Sequence, residues 1–399
     1  MTATQLTDAL VVGAGPVGLS LALDLTRRGK AIRIIDQEPT HHVGSRARAL
    51  NSSTLDIFEE LGVLQQLAAH AEPFLFTRLY DQHNRVVREI DQRSDIATFA
   101  TPGARHLPMK ISQQQTEAVL RNALASYGVQ VELNCRLVGF NQDQQSVTAF
   151  IEHDGNSEQI QARFLLGCDG GHSTVRTCAG IAFQGETGEE EYGLVGNVSV
   201  SNIVPGFHIW MDPARPSGFL LMLDFIRDDT WFFTASLLPQ EYDPSLPMLE
   251  LLQRLFDTQV GMPGVHFSHP LWLSGYRPQN LRLAERYRDG RVLLAGDAAH
   301  IGMIHGMEAG IADAASLGPK LAAVLSGAPD TELSTYQAER RPMAQQELAA
   351  GGFSAGARAI INGLVNPEHD DLTLGKEISR VQATPQEGPF PPSHHLHAL

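Results

Sequence analysis

Gly13, Gly15 and Gly18 stand in the run Val11-Val12-Gly13-Ala14-Gly15-Pro16-Val17-Gly18, and an acidic residue, Asp36, follows further on. Together these residues could hold a dinucleotide. Gly13 permits a tight turn, Gly15 lets the backbone approach a pyrophosphate, and Gly18 lets a helix close on the preceding strand. A helix starting at Pro16 and Val17 offers N–H groups and a positive dipole end to that phosphate. Asp36, with Gln37 after it, lies at roughly the 20-residue distance from which a strand-end carboxylate accepts ribose hydroxyls. A lone G-x-G-x-x-G also marks ordinary turns. Here an apolar strand, the glycine turn, an amphipathic helix, a second strand over 31–35 and its terminal acid stand in order. The residues therefore read as a dinucleotide site, with FAD and NAD(P) both open.

Two more strand-end acids carry the same kind of chemistry. Asp169-Gly170 ends the apolar run 164–166, ahead of Ser173 and Arg176, and is placed to meet ribose or pyrophosphate. Gly296-Asp297 ends the run 292–294, ahead of His300 and His305. Arg46 and Arg48 read either as a solvated basic turn or as contacts to a cofactor phosphate. Cys135, Cys168 and Cys178 form no CxxC pair, and neither HExxH nor a Cys/His metal spacing occurs. No metal is expected, and no nucleophilic triad is evident. His394, His395 and His397 fall in a Pro-rich segment that reads as a loosely packed tail.

The elements that must position these residues form an α/β chain. Ser52-Ser53-Thr54 and Ser112 are helix-capping signals, and Asp154-Gly155 marks a hairpin between 147–153 and 159–164. From about 184 to 275 the pattern changes to alternating strands and contains Trp210, Trp231 and Trp272. This predicts an antiparallel sheet inserted between two halves of a Rossmann-like nucleotide-binding domain. The expected division is 1–75, 104–183 and 276–345 for the nucleotide domain, 76–103 and 184–275 for the sheet, and 346–399 for a C-terminal helix and polar tail. On residue type, His208, Trp210, Met222, Phe232 and Phe233 are candidates for a substrate-facing wall, with sheet core as the competing role.

A net charge of −15 repels nucleic acid and anionic membranes, so neither is an expected partner. The N-terminal MTATQLTD lacks signal-peptide features, and the apolar run 9–25 is broken by Gly and Pro. These features predict a soluble cytoplasmic protein. The oligomeric state is open, a homodimer included.

In order and spacing the three motifs resemble the class A flavoprotein aromatic hydroxylases, the family of para-hydroxybenzoate hydroxylase and the polyketide and phenol hydroxylases. The resemblance spans about residues 8 to 345. It implies FAD as cofactor. Gly13, Gly15, Pro16, Val17, Gly18, Asp36 and Gln37 would hold the ADP half. Asp169 and Gly170 would lie at the pyrophosphate region, and Gly296 and Asp297 at the ribityl chain. Arg46, in Ser45-Arg46, and Gln113 match family residues that contact FAD. Glu339-Arg340-Arg341-Pro342 matches a C-terminal helix motif read as structural. It further implies NAD(P)H as cosubstrate, O2 as oxidant, a small phenolic or polycyclic aromatic substrate, and hydroxylation through a flavin hydroperoxide.

The sequence departs from the family after His300. A Pro-containing loop and Gly-Gln-Gly-Met-Asn usually follow. Here Ile301-Gly302-Met303-Ile304-His305-Gly306-Met307-Glu308 aligns with about three residues missing. Gly306 and Met307 keep the Gly-Met pair expected to border the flavin. His305 stands in place of glutamine and is the candidate catalytic residue. Glu308 stands in place of asparagine. A shortened oxygen-site loop leaves two alternatives to hydroxylation: an oxidase or dehydrogenase of the same fold, and a non-enzymatic FAD-binding relative. Pro319 falls within the following helix, where it removes an N–H.

Overall fold

The computed structural model describes residues 6–44, 47–95, 97 and 100–365. Arg46 and the segment from 366 onward, with its three histidines, lie outside the described residues. The helices are α1 (Pro16–Arg27), α2 (Ser52–Glu60), α3 (Leu64–Ala68), α4 (Gln92–Asp95), α5 (Gln113–Ser126), α6 (Thr174–Cys178), α7 (Met248–Leu255), α8 (Gly306–Leu325), α9 (Glu332–Ala349) and α10 (Gly352–Val365). Ser112 caps α5 as the sequence suggests, accepting from the Gln115 N–H. At α2 the cap is instead Asn51, one position before the serine pair, whose side chain accepts from the Thr54 N–H.

Apolar strands buried on both faces build the first sheet. Its order is β16 (Arg288–Asp289), β17 (Val292–Leu294), β8 (Asn156–Gly167), β1 (Thr7–Val12), β2 (Ile32–Ile35), β5 (Val131–Glu132), with β6 (Cys135–Gln142) and β7 (Val147–His153) folded onto β8. β17, β8, β1, β2 and β5 run parallel, which brings the ends of β1, β2, β8 and β17 to one edge. Leu10, Val11, Ile34, Leu165, Leu166 and Leu293 are fully buried there. α8 runs unbroken through Pro319. It lies close against α1: a Cβ on Gly318 would stand 2.1 Å from the Asp24 carboxylate.

The second sheet runs β14 (His266–Tyr276), β10 (Tyr192–Ser201), β13 (Thr230–Leu237), β12 (Phe219–Arg227), β11 (Phe207–Met211), β3 (Phe76–Tyr80), β4 (Val86–Asp91). It is not wholly antiparallel, because β3 pairs with β11 in parallel. Residues 76–91 precede much of the first sheet in the chain and reach the second sheet by a long crossover, which a parallel neighbour requires. The outer face carries Trp231, Phe233, Leu221 and Leu223 against Leu251, Leu252 and Leu255 of α7. The inner face shows two cross-strand rows. One is Trp272, Asn197, Phe232, Asp224, Phe207, and the next is Ser274, Val195, Thr234, Met222, Ile209. A third sheet of β9 (Phe183–Thr187), β15 (Asn280–Ala284) and β18 (His300–Ile301) ties the chain after His300 to the rest of the molecule.

Among the described residues no single helix is long and apolar enough to cross a membrane. α9 and α10 reach that composition only as a pair bent by 69°. The three cysteines are free thiols.

Candidate active site

The three glycines do different work. Gly13 has φ of +100°, and a Cβ there would lie 2.3 Å from the Cys168 carbonyl oxygen. Gly18 is packed as tightly, its Cβ position only 2.0 Å from the Gly13 carbonyl oxygen. Around Gly15 nothing stands within 4 Å, so the backbone at this point faces open space. Gly15 is the N-cap of α1 and Pro16 opens it; no side chain caps the helix, and no acid sits in its first turn. Amides left uncapped at a helix start, next to room for a ligand, suit a pyrophosphate. Val17 is drawn into the packing: Cβ atoms on Gly296 and Gly310 would stand 2.9 and 2.5 Å from its methyl group.

Asp36 closes β2. Its Oδ2 accepts the Ala14 N–H at 2.7 Å and its Oδ1 the Glu38 N–H at 3.0 Å. The carboxylate thus braces the glycine turn, and each oxygen keeps a lone-pair site for a ribose hydroxyl. Gln37 beside it is exposed. Gln113 opens α5, and its amide donates to Glu117 at 2.8 Å.

The Asp169 turn is held from within. Its carboxylate points back into its own turn, accepting from the Ser173 hydroxyl at 2.5 Å and the Val175 N–H at 3.0 Å. Burial pushes this carboxyl up, against those hydrogen bonds. Asp169 therefore shapes the loop against which Gly13 packs, while Gly170, at φ of +77°, keeps open space beside it. Arg176 then joins two motifs: it donates to the Ala298 carbonyl at 3.0 Å and the Gly171 carbonyl at 2.8 Å, over the Phe183 ring. Arg48 reaches across to the second sheet. It pairs with Asp224 of the second sheet at 2.7 Å and lies over Phe207. Lys110 also binds Asp224, at 2.9 Å.

Gly296 turns the chain at φ of +62°, and Asp297 stands exposed in the short turn that follows. One Asp297 carboxylate oxygen lies 4.0 Å from the Cβ position of Gly306, at the head of α8. Beneath this turn is a buried charge network that the sequence reading missed. Asp313 accepts from the Gly296 N–H at 3.0 Å and from Arg340 Nε at 2.7 Å, and its Oδ2 lies 2.7 Å from His300 Nε2. Arg340 also donates to the Ala309 carbonyl, and the Tyr336 hydroxyl to the Leu294 carbonyl. Although burial opposes both charges, Asp313 raises the His300 pKa, and His300 and Arg340 hold Asp313 down to about 2. The Arg340 motif is structural in this concrete sense: it clamps the Gly296 turn. With the turn so supported, Asp297→Ala is expected to leave the fold near parental stability and to lower FAD content. Each ribityl hydrogen bond lost is worth about 0.5–1.5 kcal/mol. Flavin absorbance per protein after gel filtration measures it, and unchanged content would remove Asp297 from the site.

The shortened loop is held by the C-terminal helices. Gly302 accepts from the Phe353 N–H at 2.7 Å, and the Ile304 N–H donates to Glu347 at 2.9 Å. His305 is the half-buried N-cap of α8 and makes no side-chain capping bond. Gly306 begins the helix, and Met307 packs against the core. Glu308, in the first turn, has its carboxyl pushed up by burial and drawn down by His305; Glu347 is likewise pushed up by burial.

Of the substrate-wall candidates, Met222 and Phe232 lie on the inner face, and Met222 shares an apolar cluster with Ile304 and Phe353. His208, Trp210 and Phe233 do not. Trp210 and Phe233 belong to the cluster under α7, and His208 stacks with Tyr80 and Trp210, bonding the Tyr80 hydroxyl and the Val204 carbonyl. Burial lowers the His208 pKa to about 4. On the inner face stands another pair the sequence reading missed, the Thr234 and Tyr276 hydroxyls, 2.8 Å apart. An open cleft of about 580 Å³ lies elsewhere, between β9, β15 and the end of α9. Its rim of Glu186, Glu189 and Glu190 is wrong for a phosphate ligand.

Comparison with known proteins shows the family. The family model described as "FAD binding domain" matches residues 6–350. A flavin-dependent monooxygenase of Mycobacteroides abscessus is 34% identical over 349 residues, covering 85% of this chain and 72% of its own. The pentachlorophenol 4-monooxygenase of Sphingobium chlorophenolicum is 30% identical, covering 85% of this chain and 62% of its own. The chain thus spans about two thirds of the length of these curated relatives. Among solved structures, a ternary complex of aklavinone-11 hydroxylase with FAD and aklavinone superposes with a TM-score of 0.77 at 26% identity, covering 91% of this chain and 70% of the other. The family match extends over nearly all of the described chain, and the chain belongs to the FAD-binding family of the flavin-dependent aromatic hydroxylases.

Proposed function

We propose that the protein is an NAD(P)H-consuming monooxygenase that hydroxylates a phenolic or polycyclic aromatic small molecule with O2. The observation that carries this reading is the closure of the second sheet's inner face on the shortened loop, through Met222, Ile304 and Phe353. Bound FAD supplies the redox chemistry, taking electrons from NAD(P)H and activating O2. The chain's own part is to hold an aromatic ring against the cofactor and keep water out. Phe232, Met222, Ile304 and Phe353 offer the apolar wall. Tyr276, whose phenol burial keeps protonated, offers with Thr234 a hydroxyl pair for a phenolic oxygen.

Substrate-stimulated NAD(P)H oxidation across a phenol and quinone panel tests the reading. Hydroxylated product supports it. NAD(P)H oxidation giving only peroxide favours an oxidase, and no turnover favours a non-enzymatic role. Within the monooxygenase reading, His305 sits at the head of α8 and moves a proton at the oxygen site. His305→Ala should then lower the ratio of product to NAD(P)H consumed, with peroxide making up the difference and FAD content unchanged. Coupling equal to the parent's would remove that role.

A further inference from the structure

We propose that Glu132, Cys135 and His153 form a binding site for zinc or a similar divalent cation, on the edge of the first sheet behind the strand end that carries Asp36. The donor atoms of these three side chains all lie within 4.8 Å of one another. Tetrahedral ligands 2.0–2.3 Å from zinc lie about 3.3–3.8 Å apart, so side-chain shifts of about 1 Å close the set. A sulfur, an imidazole nitrogen and a carboxylate oxygen are a donor set suited to zinc, and three protein ligands leave one position for water.

The fold builds this group without a sequence signature. Cys135 and His153 are register partners on β6 and β7. Asn134, at φ of +51°, turns the chain between Glu132 and Cys135, and its amide donates to Asp154 at 2.6 Å, locking that turn to the β7 end. The sulfur is buried, while Glu132 and His153 are half-buried and leave a path from solvent.

The surroundings supply what a metal site needs behind its ligands. Arg33 grips the Glu132 carboxylate at 2.8 and 2.6 Å, fixing its orientation, yet each oxygen keeps a second lone-pair site. Asp154 and Glu158 lie 3.7 and 3.9 Å from the two His153 ring nitrogens. Whichever nitrogen binds the cation, the other has a carboxylate within 4 Å, near enough to hold the ring by charge. Three carboxylates around one guanidinium leave a negative excess for a dication. Binding forms a sulfur–metal bond and sends the thiol proton to solvent, with no change of oxidation state.

The site also touches the cofactor region. The Asp36 N–H donates to the Glu132 carbonyl at 2.9 Å, and the Cys135 N–H donates to the Asp36 carbonyl at 2.8 Å. A cation here would stiffen the segment that carries Asp36.

Equilibrium dialysis of the FAD-loaded full chain against zinc, with X-ray absorption at the zinc edge, tests the proposal. One zinc per chain is expected, with a sulfur shell at about 2.3 Å. Cys135→Ser should remove the sulfur shell. His153→Gln, at a half-buried position, should weaken binding at least about tenfold. Zinc bound without a sulfur shell, or bound equally well by His153→Gln, would overturn it.

Discussion

Asp313→Asn is expected to cost about 3–5 kcal/mol of folding stability and to release FAD. The charge is buried, and so are both of its partners. Removing one member of a buried ion group leaves the others in low dielectric without a counter-charge, and that is the source of the magnitude. The effect reaches the cofactor because the same carboxylate accepts the Gly296 N–H, and Gly296 sets the turn that presents Asp297. The pH dependence has two limbs. Asp313 is depressed from 3.8 to about 2, so its contribution is present above pH 3.8 and lost as pH falls toward 2. His300 is raised above 6.5, so its contribution is full below pH 6.5 and lost as pH climbs through the folded value. Urea unfolding of parent and variant from about pH 2 to 9 measures both limbs. A variant within about 0.5 kcal/mol of the parent, the range of an ordinary surface change, would mean the network is not the clamp described.

Gly13→Ala and Gly15→Ala should fail in different ways. At Gly13 the new methyl group meets a carbonyl oxygen at 2.3 Å, and the backbone is left-handed. Left-handed strain of about 1–2 kcal/mol and overpacking of about 1–3 kcal/mol predict an unstable protein that holds no flavin. At Gly15 the backbone is extended, with φ of −74°, and the methyl group enters open space. Folding stability should change by less than about 0.5 kcal/mol, while FAD affinity falls, because the methyl group occupies the pyrophosphate's approach. Thermal melts of the flavin-free proteins, with FAD titration followed by flavin fluorescence, separate the two. Equal FAD affinity in Gly15→Ala and the parent would contradict the placement of the pyrophosphate.

The glycine turn was legible in the sequence because close backbone approach leaves glycine as the residue that fits, and the contact distances at Gly13 and Gly18 bear out that physical demand. The partners of Asp169 inside its own turn were not legible, because a strand-end acid looks the same in sequence whether or not it caps that turn. The Asp313 network was hidden because its members lie on β18, α8 and α9 and meet only through helix packing. His208 and Trp210 take the sheet-core role, which residue type alone did not separate from a substrate wall. Both faces of the second sheet are covered, so polar alternation does not mark which face meets the cofactor. The set of Glu132, Cys135 and His153 depends on the β6–β7 register, which no local spacing encodes.

The most direct test of the monooxygenase reading uses heavy-oxygen-labelled O2. The purified FAD-loaded protein is supplied with NAD(P)H and a phenol that stimulates its oxidation, and the product is weighed by mass spectrometry. Hydroxylation at this site predicts one labelled oxygen atom in each product molecule. Label found only in peroxide or water, with the phenol unchanged or oxidised without oxygen gain, would contradict it.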